Sequence, residues 1–430
     1  MASNELQQKL YHGIEKTPVV AWNVGFLADE IVGDRPFVTP VELWARDGRL
    51  ARSLCACGVS PDELSGAAAD FEKLTAWLAA LPLTAGATAA ADLAADLTAL
   101  GAGERPLARD AATLWRTACD ALAQARVTPK TLLSQNRASM VAFCVEDGMP
   151  SAPLGEGVYP LPVWDAVFAL GSPDFSPRLM TFLRKMGENT ADLTAVEHAI
   201  NTALDAAKAL GARAVTVDVS ALARFERPNP YHAGQALAKA LSGDAPDAKE
   251  TAIWHAQVLR MLGLAASVRG LVIHLRVRPK TEHVLGDFSA FALEKLLTYL
   301  KERGALAPTV LSLRAGELPR GLSRLVARFA WADGTPELTF GIEGVGASLA
   351  ALSRSLRFYA EHGALALLVG LTDADQGHFT APTRMRFARA LAAELARVAR
   401  EDETGLYTEQ GLLSLARSVL AHRAAALLGV

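Results

Sequence analysis

Six residues of types that do chemistry stand at, or just past, the ends of short apolar runs: Trp22, Asn23, Trp164, Arg276, Arg314 and Asp373. A carboxylate such as Asp373 can take a proton from carbon or oxygen. A guanidinium, from Arg276 or Arg314, matches a carboxylate in two hydrogen bonds. Trp22 and Trp164 offer flat faces for a sugar ring, and Asn23 an amide that both donates and accepts. The set suits a small organic acid held by its carboxylate while a proton moves nearby. Each residue also has a plainer reading. Asp373 could cap the helix that follows it, Arg276 and Arg278 could stand in solvent beyond a strand end, and both tryptophans could be packing. His274 shares a strand face with Arg276 and reads as a neutral core or pocket histidine. Glu343, ahead of Gly344 and Gly346, reads as an exposed turn residue. The glycine-rich stretch 341–346 lacks the Lys-Ser/Thr of a phosphate loop.

The elements that must position these residues are short β-branched runs separated by Ala/Leu-rich helical stretches, the texture of repeated β-α units around a parallel sheet. Eight strands are expected: Val19–Trp22, Met140–Val145, Val158–Leu161, Ala214–Val219, Leu271–Val277, Thr309–Leu313, Leu338–Gly341 and Ala366–Leu371. Several are apolar throughout, as strands buried on both faces are. Eight such units predict an α/β fold, a (β/α)8 TIM barrel, whose active sites gather where the strands end. A barrel of this type needs about 250 residues. The excess lies mainly between strands one and two, where only helical patterns occur. The expected division is a barrel of 1–26 and 135–430 with a helical insertion of 27–134.

Composition narrows the partners. In 430 residues, 51% are hydrophobic and 21% charged, as in a globular chain, and the net charge of −3 gives no electrostatic case for nucleic acid. No run of about 18 strongly apolar residues is uninterrupted, so no membrane span is expected, and the polar opening gives no signal peptide. Cys55, Cys57, Cys119 and Cys144 make no zinc pattern, which leaves reduced thiols and a cytoplasmic setting as the expectation.

The run from Pro18 to Phe26, followed by Leu27–Ile31, Asp34–Phe37 and Val41–Trp44, resembles the opening of the uronate isomerases, a branch of the amidohydrolase superfamily. Leu306–Leu311, Leu338–Gly341, Val369–Asp373 and Phe387–Leu391 continue that resemblance in the same order and spacing. It implies an aldose-ketose isomerase of D-glucuronate or D-galacturonate, with strand one ending in His-x-His around a divalent metal. Here those positions hold Asn23 and Gly25, an amide that binds zinc poorly and a residue with no side chain. A Gln-Leu-His motif on strand five is matched by His274, Leu275 and Arg276, so Arg276 takes a histidine's place. The Asp-His pair of strand four falls on Thr216 and Val217, with Asp218 close by. Val158–Trp164 keeps the frame of a substrate-arginine motif without its arginine. The strand-seven motif leaves Phe340 and Gly341, Thr372–Asp375 retains Asp373 from a Thr-Asp-Ser-Arg motif, and Thr383–Phe387 answers an Arg-His-Glu-Tyr-Phe stretch with altered positions.

The resemblance therefore implies a uronate isomerase-like barrel with its metal site dismantled and no cofactor. Such a barrel would be non-catalytic or altered in function, and able to bind a sugar acid. Arg276 beside Asp373 would form an internal ion pair where the metal sits in the family. An active isomerase with a relocated site, using zinc or manganese, is the alternative; a partner subunit of an active paralogue is the second. A homo-oligomer is compatible with all three.

Overall fold

The computed structural model describes residues 3–22, 28–84, 86–102, 108–135, 138–145, 158–277, 288–330, 337–344, 346–372, 381–402 and 404–429. All eight expected strands are present: β1 (Val19–Ala21), β2 (Ala138–Val145), β3 (Val158–Pro162), β4 (Ala214–Asp218), β5 (Val272–Val277), β6 (Thr309–Arg314), β7 (Leu338–Glu343) and β8 (Leu368–Leu371). Neighbours pair in parallel, in two hydrogen-bonded arcs of order β1-β2-β3 and β4-β5-β6-β7-β8. A parallel bridge from Val163 to Thr216 joins the arcs. Where β8 meets β1, Val369 packs with Val20 and Trp22 in an interior cluster that also holds Leu161, Ala214, Val272 and Val310. The result is a (β/α)8 barrel.

The alternation of side chains along each strand sorts residues into two layers. Val272, His274 and Arg276 of β5 point inward. Ile273, Leu275 and Val277 point outward and join a large apolar layer with the surrounding helices. Each such side chain buried contributes about 1.5–3 kcal/mol. Local signals set the helix ends. The helix Ala248–Arg269 starts at a capping box of Asp247 and Glu250 and stops at Gly270, whose φ of 66° suits glycine.

Between β1 and β2 the described residues form helices and no strand. They bury their own apolar cluster, which includes Ile31, Trp44, Trp77, Leu93, Leu114 and Leu122. At the far end of the chain, Glu409–Leu428 is long and apolar enough to cross a membrane by length and composition alone. Its apolarity has a local cause: Leu412, Ala416, Val419 and Leu420 pack against the barrel layer, and Ala424 and Leu428 enter the interior cluster. Gly370, with φ of 77°, lets this segment close on β8, since a Cβ there would lie 2.8 Å from the Val419 carbonyl oxygen.

Candidate active site at the barrel mouth

The interior of the barrel turns from apolar to polar along the strands. Below lie Ala214, Val272, Val310 and Val369; above them, His274 of β5 is fully buried between two hydroxyls. Its Nδ1 lies 3.3 Å from Thr216 Oγ1 of β4, and its Nε2 lies 2.6 Å from Ser312 Oγ of β6. The Trp22 indole lies against the imidazole, ring centroids 5.4 Å apart and planes tilted by 48°. Gly341 of β7 leaves the space this layer needs: a Cβ there would fall 2.2 Å from Thr372 Cγ2 and 2.7 Å from Ser312 Oγ.

One step nearer the mouth, Arg276 is only 2% exposed, far from the solvated position that was one reading of it. A guanidinium so enclosed needs an opposite charge. It donates from Nη2 to Asp165 Oδ2 at 3.2 Å. Asp165 Oδ1 accepts the backbone N–H of Asp218 at 2.8 Å, and Asp218 in turn accepts the N–H of Ser220 at 2.8 Å. Asp165 opens the short helix Asp165–Phe168 directly after β3. Its carboxylate thus fastens the end of β4 and the head of Arg276 together. Asp165 is one carboxylate on Arg276; Asp373, the partner expected from the sequence, lies outside the described residues.

The other expected site residues separate. Trp22 lies inside the barrel. Trp164 is buried in the layer between strands and helices, edge-on to Phe182 with centroids 5.4 Å apart. Its amide donates to the Thr216 carbonyl at 2.9 Å. Arg314 ends β6 at the rim, 3.8 Å from Glu317, with its side chain 40% exposed. Burial pushes the Glu317 carboxyl above its ordinary pKa, with Arg314 pulling the other way. Glu343 is half-buried and registers beside Arg314 across β6 and β7, so the exposed-turn expectation does not hold for it. Asn23, Gly25, Asp373 and Asp375 lie outside the described residues.

Three features escaped sequence reasoning. Asp165 and Ser312 each left a signal: an acid immediately past a strand, and a polar residue at inward parity in an apolar run. The seam between the helical stretch and the barrel left none. There Arg386 pairs with the buried Asp92 through both Nη nitrogens, one contact at 3.1 Å. Arg49, gripped by Asp47 at 2.9 and 2.6 Å, lies 3.7 Å from the same Asp92. Thr88 donates to the Gly346 carbonyl at 2.8 Å. The turn after β7 and the helix after β8 are therefore tied to the helical stretch.

Among the described residues no three His, Cys, Asp or Glu side chains converge on one point. His274 is engaged by two hydroxyls, and the neighbouring guanidinium of Arg276 would repel a divalent cation. The described residues do not fit a metal.

Solved structures with this architecture define the class. The chain aligns with the uronate isomerase of Thermotoga maritima over 99% of its length and 97% of the other's, at 17% identity and a TM-score of 0.81. The glucuronate isomerase of Caulobacter crescentus aligns over 100% and 94%, at 18% and 0.84. A uronate isomerase of Bacillus halodurans aligns over 100% and 97%, at 12% and 0.70. At these identities the likeness establishes the fold, a uronate isomerase-type barrel over its whole length. No curated protein sequence matches the chain. The sequence profile described as glucuronate isomerase matches residues 1–284, and the chain belongs to that family.

Proposed function

We propose that this family member works without a metal and binds a sugar acid at the barrel mouth, either without turning it over or with altered chemistry. The observation that supports this reading is the buried Arg276–Asp165 pair one layer above a His274 already held by Thr216 and Ser312. Isomerising a uronate requires a base and acid for the proton, positive charge or fixed dipoles for the enediolate, and a cationic clamp for the carboxylate. Arg276 supplies the positive charge, Arg314 is the proposed clamp at the rim, and Asp373 the proposed base. The helical stretch, read as an insertion of 27–134 on a barrel of 1–26 and 135–430, walls the mouth through the seam on Asp92. A homo-oligomer and a cytoplasmic setting complete the proposal.

Turnover of D-glucuronate and D-galacturonate by purified protein, with and without zinc or manganese, tests it. No conversion under any condition, together with measurable binding of the acid, is the expected result. Metal-dependent conversion that disappears in Asp373→Asn would overturn it and establish an active isomerase. Co-purification of a second, active barrel whose activity depends on this chain would replace it with the partner-subunit reading.

A further inference from the structure

The opposite end of the barrel carries a depression. A cavity of about 460 Å³ opens between the helix Arg423–Leu428 and the first residues of β6 and β7. Its apolar walls come from Leu306, Pro308, Ala426 and Leu427, and its charged groups are Glu337 and Arg423. The volume lies in the range of roughly 300–1,000 Å³ that suits small molecules.

The two charges are not equivalent. Glu337 is answered where it stands by Lys301 at 2.8 Å. Arg423 donates from Nε to the Ala366 carbonyl at 3.1 Å, which fixes the plane of its guanidinium, and it has no carboxylate partner among the described residues. Its two Nη groups remain available to a ligand. The hydroxyl of Thr339, also in the wall, is already given to the Thr309 carbonyl at 3.3 Å. The cavity therefore offers one bidentate cation and apolar contact, with little to satisfy a polyol.

We propose that this basal cavity binds a monocarboxylate with a short apolar body. The carboxylate lies on the Nη groups of Arg423, and the body lies against Leu306, Pro308, Ala426 and Leu427. A guanidinium matches a carboxylate in two parallel hydrogen bonds. A single uncompensated cation with Glu337 close by favours one negative charge over two. The site is independent of the mouth, because it stands at the opposite ends of the same strands.

Titration of the full-length protein with hexanoate, followed calorimetrically and by saturation-transfer NMR, tests the site. Hexanoate is expected to bind, hexanamide to bind more weakly, and Arg423→Met to weaken hexanoate by about tenfold or more, with Arg423→Lys in between. Arg423→Met also loses the bond to Ala366, so a second variant, Leu427→Trp, fills the cavity while keeping the cation; it too must abolish binding. Unchanged affinity in either Arg423→Met or Leu427→Trp, equal binding of the amide, or no hexanoate binding overturns the proposal. So does displacement of hexanoate by D-glucuronate, which would put the probe in the mouth. Failure of the sugar-acid reading leaves the variant, amide and hexanoate-binding outcomes unaffected.

Discussion

Replacing Asp165 by Asn should destabilise the protein through Arg276, and the size of the loss follows from the geometry. The amide keeps an oxygen for the Asp218 N–H at 2.8 Å but presents no charge to the guanidinium 3.2 Å away. Removing one partner of a buried ion pair costs up to about 3–5 kcal/mol, less where other groups also answer the charge that remains. The Asp165 side chain is 24% exposed, so water screens part of the pair, while that of Arg276 is only 3% exposed. A loss of about 2–3 kcal/mol is expected after that discount. The converse change, Arg276→Met, leaves a charge that water can reach and should cost less. Urea titration of Asp165→Asn, Arg276→Met and the double variant gives the coupling directly, read as a midpoint shift at constant slope. The effect should persist at high salt, since enclosed pairs are little screened. A loss under about 0.5 kcal/mol for Asp165→Asn, or a coupling near zero, would refute the reasoning.

Other expectations follow from the same structure. Gly341→Ala puts a methyl 2.2 Å from Thr372 Cγ2 and should cost about 1–3 kcal/mol by overpacking, with part recovered in Gly341→Ala/Thr372→Ser, as thermal unfolding can show. Glu317 has a raised carboxyl pKa from burial, so between its unfolded and folded values the native state holds the extra proton, and stability falls as pH rises through that window. Glu317→Gln should therefore raise the melting temperature at pH 8 and leave it unchanged at pH 4; an equal effect at both would contradict the assignment. Asp92→Asn removes the carboxylate shared by Arg386 and Arg49 and should speed hydrogen exchange in the turn after β7 and at the start of the helix Pro382–Glu401, while the outer strand residues of β5 and β6 stay protected.

Much of this protein was legible in one dimension. Eight apolar runs gave eight parallel strands, because strands covered on both faces must be apolar along their whole length. The two-residue period put His274 and Arg276 on one face of β5, and that face is the barrel interior. The run of helical patterns between β1 and β2 corresponds to helices with their own apolar cluster. Partnership was not legible in the same way. A carboxylate on Arg276 that the sequence did not suggest, Asp165, lies 111 positions earlier at the start of the helix after β3, and period fixes a side chain's face without naming what stands opposite. The ring of Trp164 falls in the outer layer because the backbone leaves β3 for the bridge to Thr216, a change of direction that alternation does not encode. The seam joins Asp92 to Arg386 across 294 positions. Local patterning thus determined which residues form strands and which of their faces turn inward; only the closing of the barrel and the docking of its loops decided which charges meet, since that depends on distances between elements that no sequence period carries.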